Sequence, residues 1–303
     1  MSRPLDRSSR PAVRRRVGAA GLAGLTALLL TGCSETVKRG FLPKGVTENS
    51  DDITFFWNAT WLWALAVGVL TWGLMFWCLA RYRAKKGDNT LPPQMQYNVP
   101  LEILYTVVPV FMVAVLFGKT VELEEKLLDT SQKPDVTVNV VGKQWSWDFN
   151  YIEARTYDSG VQAELTGKPG VEETLPTMYL PVNKRVEFVL TSRDVIHSFW
   201  VPQFLQKLDM VPGRVNRFQV TPTETGTFTG KCAELCGAYH SEMLFQVKVV
   251  PQAEYDRQMA TFRDRGQTGF LSNSLNRSGI EQGQQQYLPP GVRESDVREE
   301  EGN

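Results

Sequence analysis

Residues 231–243 read KCAELCGAYHSEM and place two cysteines, a histidine and a methionine on one short segment. Their spacing is Cys232-x3-Cys236-x3-His240-x2-Met243, and the only other histidine of the chain is His197. Thiolate and thioether sulfur together with imidazole nitrogen favour copper or zinc over magnesium or calcium. The segment therefore predicts a site for a soft metal, and the residues around it bear on which metal and which fold.

Three interpretations of this segment stay open from the residues alone. Two thiolates can bridge two copper ions, with His197 and His240 capping one ion each and Met243 in a weak position. A zinc ion with two cysteines and two histidines explains four of these five residues but not Met243. A disulfide between Cys232 and Cys236, as exported proteins often carry, would leave the other three residues as coincidence.

The segments around these residues have the pattern of β-strands. From Asp135 onward, the sequence DVTVNVVGKQWSWDFNY alternates valines and then carries aromatic residues, which is typical of a strand. Further short strand-like segments follow, whereas the stretch 156–177 is rich in Gly, Pro and Glu and is expected to be a long loop. We expect an all-β sandwich or barrel over residues 134–250.

Two apolar runs precede the β-region. Residues 55–80 contain no charged side chain and are long enough to cross a bilayer, and a second apolar run covers about 101–120. Arg81 and Arg83 follow the first run, which places that end in the cytoplasm by the positive-inside rule. We therefore expect a transmembrane helical hairpin over residues 55–120, with the N-terminus and the β-region outside the cell.

The N-terminus has the composition of an export signal. A basic region ends at Arg16, an apolar run of small residues follows, and Leu30-Thr31-Gly32-Cys33 looks like a bacterial lipoprotein cleavage box. We expect residues 1–32 to be a lipoprotein signal peptide and Cys33 to be lipidated, followed by an N-terminal external segment over residues 33–54. The alternative is an ordinary signal cut nearby, with Cys33 left as a free thiol.

The chain becomes polar beyond residue 250. The segment QAEYDRQMATFRDRG predicts one surface helix, and the residues from about 267 on have little to bury, so we expect 251–303 to be a helix followed by a tail that is disordered or ordered by a partner. Lys and Arg number 33, as do Asp and Glu, so nucleic-acid binding has no electrostatic support. The sequence carries no Cys-x2-Cys-His haem-attachment motif.

Taken together, these residues make the chain resemble subunit II of the haem–copper cytochrome c oxidases. The family pattern DVxHSFWVPxF, KxDxxPGRxN and CxExCGxxHxxM is matched from Asp194, Lys207 and Cys232, with no departure at a ligand position. The resemblance covers nearly the whole of residues 50–250. It implies an α+β membrane protein in which a two-helix transmembrane hairpin is followed by an all-β cupredoxin domain, a Greek-key sandwich or barrel.

The resemblance also implies a binuclear copper centre, called copper A or CuA. Its two copper ions would be held by His197, Cys232, the Glu234 backbone carbonyl, Cys236, His240 and Met243. His197 and Met243 would belong to one copper, and His240 and the Glu234 carbonyl to the other. The Glu234 side chain would reach a magnesium ion at the interface with subunit I.

Further residues take on roles by the same resemblance. Trp145 would receive the electron from cytochrome c, with strand packing as the alternative. Glu102 would stand at the mouth of a proton path into the catalytic subunit, with an ordinary acid at a helix N-terminus as the alternative. Asp194, Asp148 and Glu153 could form an acidic docking face for a basic cytochrome, although isolated surface acids are usually only solvated.

The implied function is that of the copper-bearing subunit of a terminal oxidase. The chain would accept electrons from cytochrome c and pass them to haem in subunit I, where oxygen reduction is coupled to proton translocation. Expected partners are subunits I and III, cytochrome c or a membrane-bound cytochrome c in a supercomplex, and the lipid bilayer of a bacterial cell membrane, with no nucleic acid. Rival functions are a copper-free quinol oxidase subunit, a lone copper-delivery lipoprotein and a nitrous-oxide reductase.

Overall fold

A computed structural model of the chain describes residues 34–83, 87, 91, 94–164, 174–274, 287–293, 295 and 297–298. The chain falls into two compact units, residues 1–44 and 45–303. In the first unit, the Ser34 hydroxyl accepts a hydrogen bond from the Val37 N–H at 3.3 Å and so caps the short helix α1 (Glu35–Lys38). The predicted signal peptide and Cys33 lie outside the described residues.

Two long helices begin the second unit. Helix α2 spans Ser50–Arg81 and helix α3 spans Val99–Leu128, so both extend beyond the apolar runs that predicted them. Apolar side chains are exposed around the whole circumference of both helices, as expected where lipid or other membrane helices surround them. Lys126 in the last turn of α3 forms an ion pair with Asp52 in the first turn of α2, which joins these two helix ends.

Ten strands follow and form a β-sandwich. They are β1 (Val136–Lys143), β2 (Ser146–Tyr151), β3 (Thr156–Ser159), β4 (Thr177–Pro181), β5 (Val186–Ser192), β6 (His197–Val201), β7 (Gln206–Met210), β8 (Asn216–Val220), β9 (Gly226–Cys232) and β10 (Leu244–Val250). The two five-stranded sheets have the orders β3-β2-β1-β5-β8 and β4-β10-β9-β6-β7. The predicted order of a helical hairpin followed by a β-sandwich is confirmed.

Aromatic side chains fill the interior between the sheets. The largest residues without exposed surface include Trp147, Phe149, Phe188, Phe199 and Phe245. Their rings lie in contact, with centroids 4.9 Å apart for Trp147 and Phe245 and 5.1 Å apart for Phe188 and Phe199. Burial of such rings supplies most of the stabilisation of a domain of this size, and it fixes the strands from which the metal-binding residues project.

The sandwich is tied to the ends of both long helices. Before α2, Val46 is buried in the core, its N–H donates to the Gln203 carbonyl at 3.0 Å, and its carbonyl accepts from the Thr223 N–H at 2.8 Å. In the last turn of α3, the Leu127 carbonyl accepts a hydrogen bond from the Gln206 side-chain amide at 3.3 Å. These bonds hold the β-domain against the hairpin from two sides.

The prediction of one long loop over residues 156–177 is wrong at both ends. Strand β3 occupies Thr156–Ser159, and β4 begins at Thr177. Strand β3 escaped prediction because it is short and polar, and it forms because it pairs with β2 over four residues at the edge of its sheet. Residues 165–173 lie outside the described residues.

The predicted C-terminal helix is present as α4 (Gln252–Asp264), with Tyr255, Met259 and Phe262 buried. The Phe262 ring stacks on Tyr151 of β2 with centroids 5.9 Å apart. This helix therefore covers the edge of the sandwich rather than lying free on its surface, because three of its apolar side chains share one face.

The expectation that residues beyond about 267 bury little is wrong for the described part. Strands β11 (Phe270–Leu271) and β12 (Val297–Arg298) pair in parallel, and Phe270, Leu271, Asn273 and Tyr287 are buried. We call the described residues 267–274, 287–293, 295 and 297–298 the C-terminal strap. The strap lies against the first sheet.

Buried asparagines fasten the strap. Asn150 of β2 donates to the Leu271 carbonyl at 3.0 Å and accepts from the Leu271 N–H at 2.8 Å. The side-chain amides of Asn150 and Asn273 both donate to the Asn139 side-chain oxygen, at 3.2 and 3.0 Å. The sequence pattern missed this segment because amide hydrogen bonds, rather than a periodic apolar face, hold it in place.

Candidate metal centre

Two neighbouring strands bring the predicted metal-binding residues together. His197 is the first residue of β6 and Cys232 is the last residue of β9, and these strands pair next to each other. The segment from Cys232 to Met243 then folds back on itself, because the Cys232 N–H donates to the Met243 carbonyl at 3.0 Å. Cys236 and His240 therefore lie on a closed loop above the end of the sandwich.

The donor atoms of this loop lie within a few ångströms of one another. The sulfur atoms of Cys232 and Cys236 are 3.9 Å apart, and both cysteines are free thiols in this structure rather than joined by a disulfide. The sulfur of Cys232 lies 3.8 Å from His197 Nδ1, and that of Cys236 lies 3.5 Å from His240 Nδ1. Each cysteine thus has one histidine beside it.

Each of the two weaker donors also lies close to a cysteine sulfur. The Met243 sulfur lies 3.8 Å from the Cys236 sulfur, and the Glu234 carbonyl oxygen lies 3.2 Å from the Cys232 sulfur. A tetrahedral ion with sulfur ligands at about 2.3 Å holds two sulfurs about 3.8 Å apart. The residues present therefore fit soft-metal coordination, and all six predicted metal-binding residues, the five donor side chains and the Glu234 carbonyl, come together.

The site is dry. His197 and Met243 have no exposed surface, and Cys232 and Cys236 are each 4% exposed. Gly142 of β1 makes the approach of His197 possible, since a Cβ at this position would lie 2.9 Å from the imidazole Cδ2. Burial of this kind excludes water from the metal and keeps its ligands in one geometry.

The two thiols differ in acidity when no metal is bound. Burial raises the pKa of Cys232, but hydrogen bonds with His197 and with backbone groups outweigh burial and lower the pKa to about 7. Burial and the negative charge of Cys232 raise the pKa of Cys236 to about 12. Metal binding at neutral pH must therefore displace the Cys236 proton, as is usual when a second thiolate ligand forms.

Asp194 orients His197 rather than lying on an open surface. Its carboxylate lies 2.7 Å from His197 Nε2 and accepts the backbone N–H of Gln144 at 2.7 Å. Burial raises the pKa of Asp194, but these hydrogen bonds outweigh it and keep the pKa below its usual value. Such a carboxylate fixes the ring so that Nδ1 faces the metal. The sequence missed this role, although the Asp-x2-His spacing carried the signal.

Gln144 joins two parts of the site that the sequence did not connect. Its side-chain amide donates to the Cys236 carbonyl at 2.6 Å, while its own N–H is held by Asp194. The next residue, Trp145, packs edge-on against Tyr239 with ring centroids 4.9 Å apart. Gly237, at φ +134°, leaves room for this indole, since a Cβ there would lie 3.0 Å from Trp145 Nε1. Trp145 thus adjoins the metal loop.

Two of the three predicted docking acids are not at a surface beside Trp145. The Asp148 side chain has no exposed surface and is paired with Lys143 at 2.8 Å, because it faces inward from a strand buried on both sides. Glu153 accepts from the Thr137 N–H at 2.7 Å, near the opposite end of β1. At about 3.4 Å per strand residue, this end lies about 20 Å from Trp145.

Glu102 lies at the start of α3, and Glu234 lies on the metal loop between the two cysteines. Glu102 is in the first turn of α3, where its carboxylate accepts from the Asn98 N–H at 2.8 Å, a capping arrangement. Glu234 is exposed on the metal loop, so its side chain is free to point away from the ligands while its carbonyl points toward them.

Comparison with known proteins supplies the family. Residues 136–250 match the profile of the cytochrome c oxidase subunit II periplasmic domain, and residues 36–118 match that of the cytochrome c oxidase subunit II transmembrane domain. The "Probable cytochrome c oxidase subunit 2" of Streptomyces avermitilis is 46% identical over 91% of this chain and 96% of its own length. "Cytochrome c oxidase subunit 2" of Mycobacterium bovis is 35% identical over 80% of each chain.

Among solved structures, the periplasmic domain of subunit II of cytochrome oxidase from Bradyrhizobium japonicum is 33% identical, with a TM-score of 0.41 over 44% of this chain and 97% of that one. The two profiles together cover the hairpin and the β-domain, which makes this a membrane protein with an extracellular β-domain. By these matches, the chain belongs to the cytochrome c oxidase subunit II family, whose members are copper-bearing subunits of haem–copper oxidases.

Proposed function

We propose that this chain holds two copper ions between Cys232 and Cys236 and uses this centre to receive electrons from a cytochrome c. The observation that carries the proposal is the pair of sulfur atoms 3.9 Å apart, each with a histidine nitrogen beside it. Five donor side chains and a carbonyl are more than one tetrahedral ion accepts, which favours two ions over one zinc. Bridging thiolates let two coppers share one electron and transfer it with little change in geometry.

We propose that each ion has its own histidine and its own weak ligand. His197 and Met243 would serve one copper, and His240 and the Glu234 carbonyl the other. The exposed Glu234 side chain would then reach a magnesium ion at the interface with subunit I. Support comes from the loop geometry, since the carbonyl and the carboxylate of one residue can face opposite directions.

Residues outside the ligand set prepare the site for rapid electron transfer. Asp194 holds the His197 ring by a hydrogen bond at 2.7 Å, and the Trp147 indole donates to the Met243 carbonyl at 3.3 Å. Trp145 would be the point of electron entry, because the side-chain amide of the preceding residue, Gln144, donates a hydrogen bond to the Cys236 carbonyl. A rigid, water-free site of this kind needs little reorganisation when its charge changes.

We propose that Glu102 stands at the mouth of a proton path into subunit I. It lies in the first turn of α3, at the end of the hairpin that Arg81 and Arg83 mark as cytoplasmic. Protons for oxygen reduction would be taken up from that side of the membrane. The Asn98 N–H that Glu102 now binds also fits an ordinary helix cap, so replacement by Gln, which caps equally well, separates the two roles.

The remaining assignments complete the assembly. We propose a signal peptide over residues 1–32, lipidation at Cys33, an external segment over 33–54, a hairpin over 55–120, a copper domain over 134–250 and a C-terminal region over 251–303. The partners would be subunit I with its haem, subunit III, and cytochrome c or a membrane-bound cytochrome c in a supercomplex. The chain would lie in a bacterial cell membrane as a lipid-anchored two-pass protein.

Copper content and electron paramagnetic resonance of the full chain, purified in detergent and loaded with copper, test the proposal. We expect two coppers per chain and one unpaired electron shared between two equivalent nuclei, because both thiolates would be shared by the two ions. One copper with a mononuclear spectrum, or tighter binding of zinc than of copper under the same conditions, would contradict the binuclear centre. The variant Cys78→Ser, which changes an exposed cysteine of α2, is the matched control.

A further inference from the structure

Residues 34–44, which we call the anchor segment, expose a pair of apolar side chains. Phe41 is 77% exposed and Val37 is 37% exposed, and they lie four positions apart in the sequence. Among the described residues, every other phenylalanine classed as exposed lies in α2 or α3. A single exposed apolar side chain is common on a protein surface, but Phe41 is also held outward by a strained backbone.

The backbone around Phe41 adopts a conformation that a bulky residue disfavours. Gly40 has φ +58° and Phe41 has φ +66°, which is the left-handed region. The Phe41 N–H donates to the Thr36 carbonyl at 2.9 Å, and the Gly40 N–H donates to the Val37 carbonyl at 2.9 Å, so the turn is fixed by the end of α1. Glycine or asparagine forms such a turn without this strain. The turn alone therefore does not explain a phenylalanine here, and strain of this kind points to a functional position.

Basic side chains accompany the apolar pair. The anchor segment contains three of them, Lys38, Arg39 and Lys44, against one acid, Glu35. Glu35 pairs with Lys38 at 2.7 Å, and Arg39 donates from Nε to the Leu42 carbonyl at 3.2 Å. The ion pair offsets one of the three positive charges, so the segment keeps a positive balance beside its exposed apolar side chains.

Membrane topology does not account for these basic side chains. Lys and Arg concentrate next to the cytoplasmic end of a span and are scarce in short segments next to the outer end. Here Arg81 and Arg83 mark the cytoplasmic end of α2, whereas the anchor segment precedes the outer end, which begins at Ser50. Basic side chains on the outer side are favourable where they meet anionic lipid headgroups.

The chain ties both ends of the anchor segment to the membrane. Helix α2 begins at Ser50 and contains the apolar run that is long enough to cross the bilayer, and the lipid proposed on Cys33 would enter the outer leaflet. An extended chain spans at most about 3.6 Å per residue, so each attachment lies within about 30 Å of Phe41 along the chain. A bilayer is therefore the apolar surface within reach of this side chain.

We propose that the anchor segment docks on the outer surface of the bilayer, with Val37 and Phe41 inserted below the headgroups and Arg39 and Lys44 bound to anionic lipid phosphates. This inference goes beyond electron transfer and rests on the proposed placement of the N-terminus, not on the metal centre. Apolar insertion flanked by basic contacts is the chemistry of an interfacial amphipathic segment. The chain continues from Lys44 to Val46, which is bonded to the sandwich, so docking limits how far the sandwich moves from the bilayer.

The test uses the full chain in lipid vesicles that contain anionic phosphatidylglycerol. Cys78→Ser removes the exposed thiol of α2, and Val37→Cys carries an environment-sensitive fluorophore on the face of Phe41. Quenching by a nitroxide on the lipid acyl chains reports contact with the bilayer, whereas quenching by iodide reports contact with water. We expect the ratio of lipid quenching to iodide quenching to be about tenfold or more higher than for the same probe at Thr229→Cys, an exposed position of β9.

Changes at Phe41 and in the lipid separate the two parts of the contact. Phe41→Ser should lower the quenching ratio about fivefold, and Phe41→Trp, which keeps a ring suited to the interface, should retain it. Vesicles of phosphatidylcholine alone should also lower the ratio, because Arg39 and Lys44 then lack an anionic partner. The Cys78→Ser chain without a new cysteine measures any labelling at the buried thiols of the metal site.

Three outcomes would overturn the proposal: equal ratios for the probes at Val37 and Thr229, an unchanged ratio in Phe41→Ser, or a probe shielded from both quenchers. The last outcome would mean that the chain itself covers this side chain. The mass of the N-terminal peptide reports lipidation separately, so a lipid on Cys33 with the probe in water would contradict docking alone. Copper content and spectrum do not enter the comparison, and failure of docking leaves the proposed metal centre standing.

Discussion

The metal end and the strap-covered face of the β-domain differ in which side chains they bury. At the metal end, polar ligands are buried and apolar side chains are exposed around them. Under the strap, buried asparagines bind one another and the chain that passes over them, beside the buried apolar side chains of Phe270 and Leu271. The first region leaves its donor atoms without partners outside the site, whereas the second is closed by hydrogen bonds within the chain. The donor residues and the strap contacts therefore lie at different places on one sandwich.

The largest effect that separates these regions is expected from Cys236→Ser. A serine oxygen is a poor ligand for a soft metal, and the Cys232 thiolate alone would not hold two ions in equivalent positions. We expect the shared-electron spectrum to disappear and copper content to fall to one per chain or less, measured by metal analysis and paramagnetic resonance. Fold and strap should persist in the far-ultraviolet circular dichroism spectrum, and retention of the shared-electron spectrum would show that Cys236 does not bridge.

The metal end could be predicted almost completely from the sequence, because its chemistry is local. Four of the donor side chains lie within the twelve residues from Cys232 to Met243, and soft donors at such spacing have few other uses. The one distant ligand, His197, was identifiable because the chain has only two histidines. Asp148 does not lie on the surface that a docking acid needs, since strand position alone does not say whether a carboxylate faces water or the interior.

A smaller effect is expected at Asp194, which the sequence analysis treated as a docking acid and which lies beside His197 in the structure. Asp194→Asn keeps the shape but weakens the hydrogen bond to His197 Nε2, and loss of such a carboxylate typically lowers metal affinity about 10- to 100-fold. Competition with a copper chelator measures this affinity on the full chain. Asp256→Asn, an exposed carboxylate on α4, is the control, and equal affinities for both variants would mean that Asp194 does not position the ring.

The strap could not be predicted because its contacts join residues far apart. Asn139 and Asn273 are 134 positions apart in the sequence, and neither belongs to a periodic apolar pattern. Polar composition alone favours disorder, and a single sequence cannot reveal that three amides pair with one another. Helix α4, by contrast, was predictable, because its apolar residues repeat at helical spacing.

The strap side of the comparison is tested by Asn150→Ala. This change leaves the buried N–H and carbonyl of Leu271 without their side-chain partner, which costs about 1–3 kcal/mol per unsatisfied group. We expect the free energy of unfolding of the full chain in detergent to fall by that order, while copper content and spectrum stay unchanged. Gln252→Ala removes an exposed hydrogen bond to Asp256 on α4 and should change stability by less than about 0.5 kcal/mol. An altered copper spectrum in Asn150→Ala would mean that the two regions are coupled.

The smallest expected effect concerns a carboxylate on the strap side, and its size depends on pH. Burial raises the pKa of Asp158 in β3 above 3.8, although a hydrogen bond from the Gln267 side chain of the strap opposes the shift. A raised pKa means that the folded chain binds this proton more tightly than the unfolded chain. The stability that it contributes is present below the unfolded pKa and is lost as pH rises through the folded pKa.

Asp158→Asn should therefore stabilise the chain relative to wild type at pH 7, and the advantage should shrink as pH falls toward 3.8. The thermal unfolding midpoint of the metal-free, reduced full chain in detergent, followed over this pH range, measures the difference. Asp256→Asn accounts for the general effect of removing one acid. If the advantage of Asp158→Asn grew toward acid pH instead, the carboxylate would be stabilised in its charged form by Gln267 and Arg265. The strap would then act on this edge strand through the Gln267 hydrogen bond more than by covering it.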